Sequence, residues 1–215
     1  SATTGDDWMR PALCDEALRL GRQLAGLMPG ETEVLGLLAL MELQASRTKA
    51  RMDGRGNPVL LLEQNRARWD HLQIARGLAA LERASGLGGA QQPYALQAAI
   101  AACHARARQA AATDWVRIAA LYAALANVMP SPVVELNRAV AQGMAYGPEA
   151  GLALVETLAN DPALRDYASL PAVRGDLLQK LGRHEEARAE FERAAGLTLN
   201  ARTRALMLAR ALACH

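Results

Sequence analysis

The chain has 215 residues, about half of them hydrophobic (51%) but only 4% aromatic, and a formal net charge of +2. Its apolar content is mostly Ala and Leu, both strong helix formers, while β-branched residues are too sparse to build sheets, so an all-α fold with a substantial core is expected. The charges carry no run of like sign, which argues against the basic stripe of a nucleic-acid binder, and the longest apolar stretch, VLGLLALMEL, is too short to cross a bilayer.

The opening SATTGDDW has no periodicity, and residues 1–10 read as a linker or an expression remnant. From Pro11, the residues Leu13, Ala17, Leu20, Leu24 and Leu27 recur at spacings of three and four, the stripe of an amphipathic helix that Pro29-Gly30 ends. A second helix, from Glu31 to about Ala50, is apolar on most of its surface and is expected between neighbours. MDGRGNPV then reads as a loop, because two Gly and a Pro so close together cannot continue a helix.

Helical signals resume after Leu62 and run to about Ala84, where GLGG follows. Pro93 suits the first turn of the next helix, which runs from Tyr94 to about Ala112. Thr113 or Asp114 can cap another, ending near Met129. Ser131-Pro132, Gly147-Pro148 and Asp161-Pro162 each place a Pro at the first turn of a helix, giving ten or eleven helices in all.

The segment RGDLLQKLGRHEEARAEFERAAGL holds Gly175, Leu178, Gly182, Ala187, Phe191 and Ala194 at the spacing of a tetratricopeptide (TPR) helix pair. Small Gly175 and Ala187 let two antiparallel helices touch, Leu178 and Phe191 fill the space around them, and Gly182 forms the turn. The Pro usual twelve residues after the Ala is replaced by Leu199. Partial matches occur at Ala150, Leu154 and Pro162, and at Ala17 and Pro29. The expected fold is a TPR-like helical-hairpin array, a right-handed solenoid, forming one domain over residues 11–215. Its helices are divergent over 11–90 and more regular over 91–215.

Chemistry-bearing motifs are few. Cys14, Cys103 and Cys214 are odd in number and far apart, which suggests reduced thiols in the cytoplasm. Two ACH tripeptides end at His104 and His215, but adjacent helical residues diverge by about 100°, so neither forms a chelate or a nucleophile–base pair. Without a phosphate loop, GxSxG or HExxH, the reading is non-enzymatic, with no metal and no cofactor. Polar residues inside apolar helices are the candidates for contact. Gln97 and His104 are seven apart, as are Trp115 and Tyr122, and Asn137 and Arg138 interrupt SPVVELNRAVA. They serve either as hydrogen-bonded links between helices or as the lining of a groove.

The most polar segment is LLLEQNRARWD, residues 60–70. Glu63 and Arg66, or Arg66 and Asp70, could pair along a helix, with Leu62 and Trp69 anchoring it inward. It reads either as a structural junction after the loop or as a partner-facing ledge, since Trp and Arg are enriched at interface hot spots.

Together, LCDEALRLGRQLAGLMPGETEVLGLLALM, LLLEQNRARWD, PYALQAAIAACHA, TDWVRIAALYAAL and PSPVVELNRAVA resemble the C-terminal TPR-like extension of a group of bacterial extracytoplasmic-function RNA polymerase sigma factors. The resemblance runs from about Pro11 to Arg210. In that family the block LLLEQNRARWD reads closer to LLEDQDRSRWD, with a second acidic residue where Asn65 stands. The resemblance implies a role in transcription initiation, exerted through contacts with the N-terminal sigma domains of the same polypeptide or with RNA polymerase, without direct nucleic-acid or membrane contact. Glu63, Asn65, Arg66, Trp69, Asp70, Gln97, His104, Asn137 and Arg138 are the expected contact residues. The alternative is a small-molecule sensor with a pocket lined by His104, Trp115, Tyr122 and Asn137.

Overall fold

The structure, a computed structural model, describes residues 10–215, so the expected linker lies outside the described residues except for Arg10. Ten α-helices follow in order: α1 (Pro11–Leu27), α2 (Thr32–Ala45), α3 (His71–Gly86), α4 (Pro93–Arg106), α5 (Trp115–Val128), α6 (Pro132–Tyr146), α7 (Pro148–Leu158), α8 (Ser169–Lys180), α9 (His184–Leu197) and α10 (Ala201–Leu212). The fold is all-α, built of helices that pack against their neighbours in sequence. Among the described residues the β structure is limited to one isolated bridge between Met52 and Pro58, inside the expected loop.

Three helix boundaries differ from the sequence reading. The second helix stops at Ala45 rather than near Ala50, and residues Thr48–Ala50 form a 3-10 turn. The third begins at His71, not after Leu62, because the Asp70 side chain accepts from the N–H groups of Leu72 and Gln73, both at 3.0 Å, and caps the helix there. The fourth stops at Arg106, ahead of a 3-10 turn at Ala110–Ala112. Ser131-Pro132 and Gly147-Pro148 open α6 and α7, whereas Asp161-Pro162 opens only the 3-10 turn Pro162–Leu164.

The helices form two compact units, divided at residue 130. The change from divergent to regular repeats expected near residue 90 does not coincide with this division: α4 and α5 belong with α1–α3. In the unit of residues 10–129, α2 packs against α1, α3 and α4, as its all-round apolar surface requires. Its core joins Ala39 and Leu43 of α2 to Ile74 and Leu81 of α3, to Ala95, Ala98 and Ala102 of α4, and to Trp69. At Gly36 a Cβ would lie 2.8 Å from the Ala95 nitrogen, so glycine permits the α2–α4 approach. Glu42 is buried in this unit and ion-pairs with Arg22 of α1 at 2.7 Å.

In the unit of residues 130–215, α6 to α10 pack each against the next, and the TPR-like pair is α8 with α9. A Cβ at Gly175 would lie 2.9 Å from the Phe191 ring and 3.2 Å from the Ala187 carbonyl, the small-against-large contact that the spacing predicts. Leu178, Ala187, Phe191 and Ala194 are fully buried, and Gly182 takes φ +73° at the turn, a conformation suited to glycine. Arg174 of α8 bridges Glu156 of α7 at 2.9 Å and Glu190 of α9 at 2.7 Å.

Candidate functional site

Helix ends leave carbonyl and amide groups without intrahelical partners, and a buried end must find substitutes. Segment 60–70 supplies them for three helices of the first unit. Asn65 accepts from the Ala67 N–H and opens a 3-10 turn over Arg66–Arg68. That turn aims the buried Arg66 side chain at the C-terminus of α4, where Nη1 donates to the carbonyls of His104 and Ala107, the latter at 2.8 Å. Its Nη2 donates to the hydroxyl of buried Thr113 at 3.2 Å, before α5. A cation at a helix C-terminus also opposes the negative end of the helix dipole. Asp70 caps α3, and its own N–H donates to the Ser46 carbonyl at the end of α2, at 2.8 Å. The polar turn therefore fastens the end of α2, the start of α3 and the end of α4.

Trp69 lies inside this junction at 4% exposure, so it is part of the core and not of a ledge. Two guanidinium groups lie over its ring, Arg66 at 4.9 Å and Arg47 at 5.9 Å from the centroid, in cation–π geometry. Half-buried Arg51 donates to the Gln44 side-chain oxygen at 2.9 Å, an acceptor that it shares with Arg47. Burial and the nearby Arg51 and Arg66 charges push the Arg47 guanidinium down to about 10, and burial lowers Arg51 and Arg66 as well. Among the described residues, no carboxylate ion-pairs with any of these three arginines.

His104 is buried at the same place, its ring meeting Trp115 edge-on with centroids 5.2 Å apart. Burial, reinforced by Arg47 and Arg66, pushes its imidazole down to about 4, so it is neutral at neutral pH. Cys103 beside it is buried, and burial raises its thiol, the reverse of what an activated nucleophile needs. Among the described residues no three His, Cys, Asp or Glu side chains gather to hold a metal ion. No helix among them is long and apolar enough to cross a membrane.

The remaining predicted contact residues separate. Glu63 is exposed and does not pair with Arg66, and Arg66 does not pair with Asp70, because residues 62–69 are turns rather than an α-helix. Gln97 is half-buried and donates to the Pro93 carbonyl at 3.2 Å, a bond within α4. Tyr122 is half-buried, and burial raises its hydroxyl. In the second unit, Asn137 is exposed on α6, while Arg138 pairs with Glu135 one turn earlier, at 2.6 Å.

A further surface was not anticipated from the sequence. The apolar stripe of α1 faces outward: Leu13 is 61% exposed, Leu20 50% and Leu27 81%, whereas Leu18 and Ala25 make the buried contact. Leu20, Gly21, Leu24 and Leu27 of α1 with Leu37 and Met41 of α2 line an open apolar groove of about 530 Å³. The signal was present as the α1 periodicity, but periodicity does not say whether a stripe is covered within the chain.

Residues 1–85 match a family of unknown function, DUF6596. An uncharacterized protein of Rhizobium meliloti (strain 1021) is 48% identical over 201 residues, covering 94% of this chain and 47% of that protein. The chain thus spans about half the length of this curated relative. No solved structure matches the chain.

Proposed function

We propose that this chain is a non-enzymatic regulatory interaction domain of a cytoplasmic sigma factor, and that it docks the sigma domains of the same polypeptide in the apolar groove between α1 and α2. The observation that carries this reading is the outward stripe of α1. Large contiguous apolar patches on a soluble chain mark interaction sites, and a groove lined by Leu and Met suits the apolar face of a partner helix. Two further points support it. The five sequence blocks resemble a sigma-factor extension, and more than half of the Rhizobium meliloti relative lies outside the matched region, room for further domains.

The contact surface moves accordingly from Glu63, Arg66 and Trp69 to α1 and α2. The test is a binding titration of this chain against the sigma domains, expressed separately, with Leu24→Asp and Leu27→Asp as variants. A buried Leu contributes roughly 1.5–3 kcal/mol, so each variant is expected to weaken binding about tenfold or more. Leu27 is so exposed that its replacement leaves the fold intact. Unchanged affinity in both variants overturns the assignment of the groove. No binding by the unmodified chain at tens of micromolar overturns the sigma domains as its occupant and leaves RNA polymerase to be tested.

A further inference from the structure

The junction around Trp69 contains more hydrogen-bonding capacity than the chain uses. Arg51 Nε, Arg66 Nε, Trp69 Nε1 and His104 Nδ1 are all buried without a hydrogen-bond partner among the described residues. Three of these are obligate N–H donors, and the imidazole nitrogen is a fourth in one tautomer. Arg66, Trp69 and His104 belong to side chains at least nine-tenths buried. Stranding one such group is costly, and stranding several in one place is rare in folded proteins.

Their neighbourhood is also strongly cationic. Arg47 and Arg66 share the Trp69 ring, Arg47 and Arg51 share the Gln44 oxygen, and Arg66 holds the His104 carbonyl. Three positive charges thus gather without an ion-paired carboxylate among the described residues, although like charges together disfavour the folded chain. Guanidinium forks are suited to bidentate bonding with planar or tetrahedral oxyanions. Arg47 and Arg51 are only half-buried, so the cluster opens to solvent on their side.

We infer that Arg47, Arg51, Arg66, Trp69 and His104 form a binding site for a small oxyanion, the phosphate or carboxylate group of a low-molecular-weight ligand. Such a group supplies the acceptors that the orphaned N–H groups require and the negative charge that the arginines lack. Bound at the junction of α2, α3 and α4, it would tighten the scaffold that carries α1. This site shares no residue with the α1–α2 groove, so its failure and that of the proposed function are separate results.

The experiment uses the whole chain with inorganic phosphate and succinate as probes and sodium chloride at matched ionic strength as the reference. The readouts are thermal unfolding and the NMR signal of the Trp69 indole N–H. The expected result is a saturable indole shift and a Tm raised by a few degrees with at least one probe, and which of the two acts identifies the oxyanion. Arg47→Gln and Arg51→Gln, alone and together, should weaken the response tenfold or more, whereas Arg76→Gln on the exposed face of α3 should leave it unchanged. Both arginines are half-buried, so a variant that keeps its helical circular dichroism remains informative, and the unmodified chain alone gives a decisive result. A response no larger than that of chloride, or one that survives in the double variant, overturns the site.

Discussion

Arg66 has three acceptors, the carbonyls of His104 and Ala107 and the Thr113 hydroxyl, and all lie more than thirty residues away in sequence. Arg66→Lys keeps the charge but loses the planar fork, so a destabilisation of roughly 1–3 kcal/mol is expected in denaturant unfolding. An unchanged midpoint would show that the ends of α4 and α5 are held by other contacts. His104 gives a pH dependence of known sign. The folded protein keeps its imidazole neutral down to about 4, whereas the unfolded chain takes a proton near 6.5, the ordinary value for histidine. As pH falls between these values the unfolded state binds the extra proton, so stability present at neutral pH is lost, on the order of 3 kcal/mol in total. His104→Gln should flatten this loss when stabilities at about pH 7 and about pH 4.5 are compared. At this scale the sequence misled. Arg66 and Asp70 stand at helical spacing and suggest each other as partners, but the Arg66 side chain binds the remote end of α4, which local spacing cannot reveal, and the Asp70 side chain caps the helix that follows it.

Among the elements, the α8–α9 hairpin was readable because its geometry is local. Gly175, Ala187 and Phe191 are spaced so that two adjacent antiparallel helices can touch only there, and the structure places a Gly175 Cβ position 2.9 Å from the Phe191 ring. Gly175→Ala must displace that ring in a fully packed core and is expected to cost about 1–3 kcal/mol, measurable as a lower Tm. No loss of stability would mean that the hairpin has slack. The early α-helices were harder to bound. No Gly or Pro interrupts residues 46–51 and apolar residues resume before His71, yet the Asp70 cap and the 3-10 turns set the actual ends. Helix α1 shows a second limit. Its stripe of Leu13, Leu20, Leu24 and Leu27 predicts an amphipathic helix correctly, but Leu18 and Ala25 are the residues that are buried.

For the molecule as a whole, the all-α class followed from an Ala/Leu-rich chain with regular Pro and Gly punctuation, whereas the packing division at residue 130 did not. Nothing local marks it, because Ser131-Pro132 opens a helix in the same way as Gly147-Pro148, which lies inside a unit. The first unit carries both the outward apolar stripe of α1 and the cationic junction around Trp69. The second offers exposed Asn137 and surface ion pairs such as Arg188–Glu192, which contribute little. The proposed regulation of a sigma factor through the α1–α2 groove is best checked by amide hydrogen exchange of the chain with and without the sigma domains. Added protection is expected to concentrate in residues 11–45, with the 63–70 turn unchanged because it is already held by its own hydrogen bonds. Protection centred on residues 130–215, or none anywhere at saturating sigma domains, would contradict it.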